Sequence, residues 1–189
     1  MEVLIHTPKG IDRNRVEDFL TRFRFKNLSF QAEDEAPSSA IESAGYCINV
    51  IDGQDDLKAK ALEQLLNVGG CSLLVFNPEA RELTEPKVIF ATDHSTQATL
   101  NLEKFKQLQP AGFAGATVIS EAEPANSAFA IHERTRKFLE QTKSAAQATQ
   151  ANLIIANFDL KNFKRNAAQA ANLVKMVLQN QCHVLILKS

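Results

Sequence analysis

Asp93, His94 and Ser95 stand together directly after an apolar run at residues 87–92, and they form the cluster best suited to chemistry in this 189-residue chain. A carboxylate at the C-terminal edge of a parallel strand can accept hydrogen bonds from a ribose hydroxyl or an adenine amine. Asp and Ser are also preferred helix N-caps, and capping of the helix that follows is the favoured reading. A second group, Lys161, Lys164 and Arg165, crowds the start of the last predicted helix. Cations there oppose the helix dipole unless an anion lies between them. The trio is either a side-chain phosphate cradle or a solvated basic turn offset by Asp159, and the solvated turn is preferred.

Other chemistries find little support. The four histidines, His6, His94, His132 and His183, fall on separate predicted elements with no metal-ligand spacing. No Ser or Cys sits in a nucleophile elbow, so catalysis has no visible residues and a non-enzymatic protein is expected. Cys47, Cys71 and Cys182 lie in or beside apolar strand patterns, where reduced, buried thiols are expected; a Cys71–Cys182 bridge is the disfavoured alternative. Arg13, Arg15, Arg22, Arg24 and Lys26 make the outer side of the first helix basic, but Glu17 and Asp18 interrupt the patch and Phe19 and Phe23 belong to the apolar stripe rather than to that side, so base stacking finds no support. With a net charge of −1 and a pI near 6.4 there is no global field for nucleic acid or anionic lipid, and both are discounted as partners. No apolar run approaches the roughly 20 residues that span a bilayer, and the N-terminus lacks a signal core. A soluble, cytoplasmic protein is the expectation.

The elements that would hold these groups alternate. Apolar strands are predicted at 28–31, 46–51, 71–76, 87–92, 116–120, 153–156 and 183–187, besides the opening run at 3–7. Between them Val16, Phe19, Leu20 and Phe23 give one apolar helical stripe, with Asp12 as cap. Leu57, Ala61, Leu65 and Val68 give a second, closed by Gly69 and Gly70. Ala98, Leu102, Phe105 and Leu108 give a third, and Ile131, Phe138 and Ala145 mark a long pattern over 127–149. A last helix is predicted over 163–179. Residues 32–43 are acidic, contain Pro37 and read as a surface loop. Strands apolar throughout and alternating with helices indicate a parallel sheet covered on both faces.

The order repeats. Residues 3–7 (VLIHT) lie over 88–92 (VIFAT) at an offset of 85, and each half closes on a Cys-led strand, at Cys71 and at Cys182. A polar, proline-bounded stretch separates the halves. This is the pattern of a diverged internal duplication, with halves at 1–78 and 87–189 joined by a linker at 79–86.

The run Val88 to Ser95, the strand-plus-helix close over 153–187 and the tandem seam between Pro78 and Pro86 together resemble the universal stress protein family. The resemblance implies a Rossmann-like α/β fold of two shortened pseudo-repeats, with the final strands at 71–76 and 182–187 near a pseudo-twofold interface that mimics the family's dimer within one chain. Nucleotide-binding members of that family are similar in a loop written Gly, two residues, Gly, nine residues, Gly, then Ser or Thr, after the penultimate strand. Laid on this chain, the glycine positions become Asn157, Leu160 and Ala170 and the hydroxyl position Ala171; no glycine occurs from Ala116 to Ser189. The family's aspartate at the end of the first strand matches Asp93 in the second half and is Pro8 in the first. The resemblance therefore implies a regulatory or stress-associated protein that works through protein–protein contact or self-association, with ATP binding lost, no cofactor, and Phe158, Leu160 and Phe163 plugging the old site. The alternative is a nucleotide-binding switch or weak ATPase that draws on Asp93, Ser95, Asn157, Lys161, Lys164 and Arg165. A third reading, a small-molecule-binding or enzymatic α/β protein outside the family, rests on fold alone.

Overall fold

The computed structural model describes residues 3–7, 10–23, 25–32, 46–52, 71–80, 87–92, 95–108, 117–120, 140–157 and 181–187. Its strands are β1 (Val3–Thr7), β2 (Leu28–Ala32), β3 (Tyr46–Asp52), β4 (Ser72–Phe76), β5 (Val88–Thr92), β6 (Thr117–Ser120), β7 (Leu153–Asn157) and β8 (His183–Ile186). The described helices are α1 (Arg13–Arg22), α2 (Thr96–Leu108) and α3 (140–149). Every predicted strand is present within a residue or two. The predicted helices at 55–68 and 163–179, the loop 32–43 beyond Ala32, and the long pattern before residue 140 lie outside the described residues.

The strands form one eight-stranded sheet in the order β2-β1-β3-β4-β8-β7-β5-β6. Read inward from either edge, the order within each half is the same: second strand, first, third, fourth. All pairs within a half are parallel. The expected wholly parallel sheet is corrected at one place, because β4 and β8 pair antiparallel. The physical reason is that two similar halves meet edge to edge through their last strands, and a twofold relation between them reverses strand direction there. Leu74 faces Leu185 at the centre, flanked symmetrically by Leu73 with Ile186 and Val75 with Val184.

Local chemistry explains the helix boundaries. The Asp12 carboxylate accepts from the Asn14 N–H at 3.0 Å, satisfying one of the first-turn donors of α1. Val16, Phe19 and Leu20 are buried, as their spacing requires. After α3 the chain turns through Gln150 at φ 52°, with the Ala151 N–H returning to the Ala146 carbonyl at 3.0 Å. A glycine would hold that left-handed position with less strain, but this part of the sequence has none. In α3 the inward residues are Thr142 and Ala146, and Ala145 is only half-buried, one position off the predicted stripe.

One continuous core joins both halves on the sheet face that carries Ile5, Ile48, Leu74, Ile155 and Leu185, with Val16, Phe19 and Leu20 from α1 and Phe105 from α2. Phe25, just past α1, and Phe105 of α2 meet in a T-shaped arrangement with ring centroids 6.0 Å apart, so the two halves share the same apolar body. Fully burying each such side chain contributes about 1.5–3 kcal/mol, which ties the halves together at points far from the β4–β8 seam.

Candidate functional site

β5 runs on through α2 to β6 on one side, while β7 lies on the other side of β5. Connections that diverge in this way leave a crevice at the strand C-termini, where open α/β sheets take ligands. Thr92 and Asn157, the last residues of β5 and β7, are partners in register at that point. Asn157 is 0% exposed. Its Nδ2 donates to the Ala98 carbonyl of α2 at 2.9 Å and to Thr92 Oγ1 at 3.3 Å, and its Oδ1 is buried without a hydrogen-bond partner. Ser95 is the N-cap of α2, its Oγ accepting from the Ala98 N–H at 3.0 Å while its carbonyl accepts from the Thr99 N–H at 3.2 Å. The capping reading of the Asp93-His94-Ser95 cluster is therefore met by Ser95. Asn101, further along α2, donates to the Leu187 carbonyl at 3.3 Å and so fixes the helix over the end of β8.

The structure brings together Ser95 and Asn157, two of the six predicted site residues. Asp93, Lys161, Lys164 and Arg165 lie outside the described residues, as do Phe158, Leu160 and Phe163. What the described corner offers is one amide oxygen able to accept and a capping hydroxyl already engaged. Among the described residues no group of His, Cys, Asp or Glu could hold a metal ion.

A second cluster, which sequence reasoning passed over, spans the seam. His183, the first residue of β8, lies with its ring centroid 4.1 Å from that of Phe19 on α1 and 4.8 Å from that of Phe76 on β4. Its Nδ1 accepts from the Asn77 N–H at 3.2 Å, which fixes the neutral ring with its proton on Nε2. Burial, reinforced by the positive charge of Arg15, lowers its pKa from 6.5 to about 3. Arg15 donates to the Pro78 carbonyl at 2.8 Å and lies over the Phe76 ring, while Arg13 lies over Phe30 at 4.5 Å. Two members of the basic patch on α1 are thus engaged within the fold.

The cysteines require a correction. Cys47 and Cys71 are joined by a disulfide, with Cα atoms 4.7 Å apart, and Cys182 is a buried thiol outside that bridge. Because Ile48 pairs with Ser72, the register of β3 and β4 sets the two cysteines directly opposite one another, and Tyr46 Oη is hydrogen-bonded to Ser72 Oγ beside them. The expectation of three reduced thiols rested on strand burial, an odd cysteine count and an expected cytoplasmic setting, and register between strands whose cysteines lie 24 residues apart has no signature in one sequence. Among the described residues no helix is long and apolar enough to cross a membrane. No protein-family model matches the chain, and no curated protein matches it.

Proposed function

We propose that this chain is a cytoplasmic regulatory or stress-associated protein of universal-stress-protein-like build, acting through protein contacts and without nucleotide chemistry. The observation that carries the reading is Asn157. Where a phosphate loop would need bare backbone for close approach of the phosphates, a fully buried side chain clamps α2 to the strand ends. The mirrored strand order about the antiparallel β4–β8 pair supports the idea of a dimer-like arrangement held in one chain. A Cys47–Cys71 bond in a reducing cytosol would survive by shielding, since Cys71 is 1% exposed. Isothermal titration with ATP and Mg²⁺ tests the central point: no heat of binding is expected through the micromolar range, and saturable micromolar binding overturns the reading.

One observation favours the alternative of a nucleotide-binding switch, namely the unpartnered Asn157 Oδ1 at the switch point, which could accept from an exocyclic amine. On that reading Lys164→Glu, a charge reversal in the proposed phosphate cradle, abolishes nucleotide affinity; the protein-contact reading predicts no affinity to lose.

A further inference from the structure

α1 and α2 pack on the sheet face that carries Ile5 and Ile48, so strand alternation turns His6 and Asn49 to the opposite face. There the register sets Gln31 on β2, His6 on β1 and Asn49 on β3 side by side. All three are half-buried. His6 Nε2 and Gln31 Oε1 are shut off from solvent and have no hydrogen-bond partner. Native proteins keep such atoms few because each forfeits its hydration without return, and two of the three described ones fall in this single row.

The fold does not require polarity there. In the second half the matching row runs through Ala91 on β5 and Ala156 on β7, with position 119 on β6 an isoleucine in the sequence. The row also lies at a switch point of its own, since β2 and β3 flank β1 on opposite sides toward the C-terminal ends of the strands. We infer that the Gln31, His6 and Asn49 row is a binding site for a small uncharged molecule bearing hydroxyl groups, of the polyol or sugar class.

The ligand class follows from what the row lacks. Gln31 Oε1 needs a donor, whereas a neutral imidazole nitrogen takes either a donor or an acceptor according to its tautomer. One hydroxyl meets both demands, and neighbouring strands about 4.8 Å apart place the two side chains within reach of a single oxygen. Gln and Asn carry no charge, and burial lowers the pKa of His6, so the row offers no counter-ion for a phosphate or carboxylate.

The test uses the intact chain with glycerol, ribose, glucose and myo-inositol added singly, reading the thermal midpoint and the His6 ring signals by NMR. At least one probe should raise the midpoint and shift the His6 signals saturably at millimolar concentration, which separates binding from the general, non-saturating stabilisation by polyols. The variant His6→Ala/Gln31→Ile/Asn49→Ala copies the row of the second half. Without ligand it should melt about 3 °C or more above the native chain, because two unsatisfied atoms are gone, and it should lose the saturable response. Absence of a saturable response to all four probes overturns the inference, as does a response that persists in the variant. A variant less stable than the native chain also overturns it, since the row would then be structural. If the triple variant does not fold, Gln31→Leu read by the same His6 signals gives the same decision.

Discussion

Lowering the pH should loosen the seam between the halves through one residue, His183. Its pKa is depressed from 6.5 to about 3 in the fold, so the unfolded chain takes up the proton first. The stabilising effect of its neutral state is complete above pH 6.5 and is lost as pH falls, at about 1.4 kcal/mol per unit, down to the folded value. Between pH 7 and pH 4 this amounts to about 3 kcal/mol, a large part of the 5–15 kcal/mol typical of a domain. Acidification acts on the whole chain, so the informative quantity is a difference between two proteins. His183→Asn keeps an acceptor near Nδ1 for the Asn77 N–H and removes the titrating ring. At pH 7 the variant should be about 1–2 kcal/mol less stable, having lost the packing of the ring against Phe19 and Phe76. Its further loss between pH 7 and pH 4, measured by urea unfolding at each pH, should be about 3 kcal/mol smaller than that of the native chain. Equal losses in the two proteins would refute the reasoning and with it the burial of a neutral imidazole at the seam.

Alkylation under denaturing, non-reducing conditions should label Cys182 alone, with Cys47 and Cys71 reacting only after reduction; the Cys47→Ser/Cys71→Ser pair should cost about 2–4 kcal/mol in chemical unfolding, as expected for a bridge that closes a loop of this size. Tyr46, the single tyrosine, has its pKa raised to about 12 by burial, offset in part by its hydrogen bond to Ser72. Absorbance at the phenolate band should therefore stay flat through pH 10 to 11 while the chain is folded. Because the charged form is disfavoured in the fold, stability should fall as pH rises above 10.

The sequence carried the strands well, because runs such as residues 73–76 and 153–156 are buried at every position and read as apolar throughout. Internal repetition marked two similar runs of elements, and the resemblance put their final strands near a pseudo-twofold interface; the mirrored strand order itself comes from the structure. Chemistry that depends on register was not legible. Nothing in the spacing of Cys47 and Cys71 says that β3 and β4 oppose them, and a slip of one residue would have sent them to opposite faces. His6, Gln31 and Asn49 are likewise far apart in sequence and each is unremarkable alone. His183 was visible as a lone histidine on an apolar strand, but its partners come from α1, β4 and the turn after β4, so only the packing of the halves gives it a role. Asn157 stood out only through the family resemblance, which would put a loop glycine at that position; its hydrogen bonds to Thr92 and Ala98 depend on packing that one sequence does not display.

Two similar halves do not imply two similar sites. At the end of β7 Asn157 sets a polar side chain against α2, on the core face of the sheet. The register places Val50, buried and apolar, at the corresponding point of β3, since Ile5 pairs with Ile48 as Phe90 pairs with Ile155. On the other face the contrast reverses, with His6 and Asn49 in the first half standing where Ala91 and Ala156 stand in the second. A buried polar atom is costly, so each retained one must be offset locally or used. At these matched positions each half is polar on one face and apolar on the other, and the polar faces are opposite. Drift toward a plain scaffold would erase polar groups from both halves alike. The complementary pattern fits a chain in which the first half holds a ligand-facing row, while the second half uses its polar corner to fasten α2 to the ends of its own strands β5 and β7.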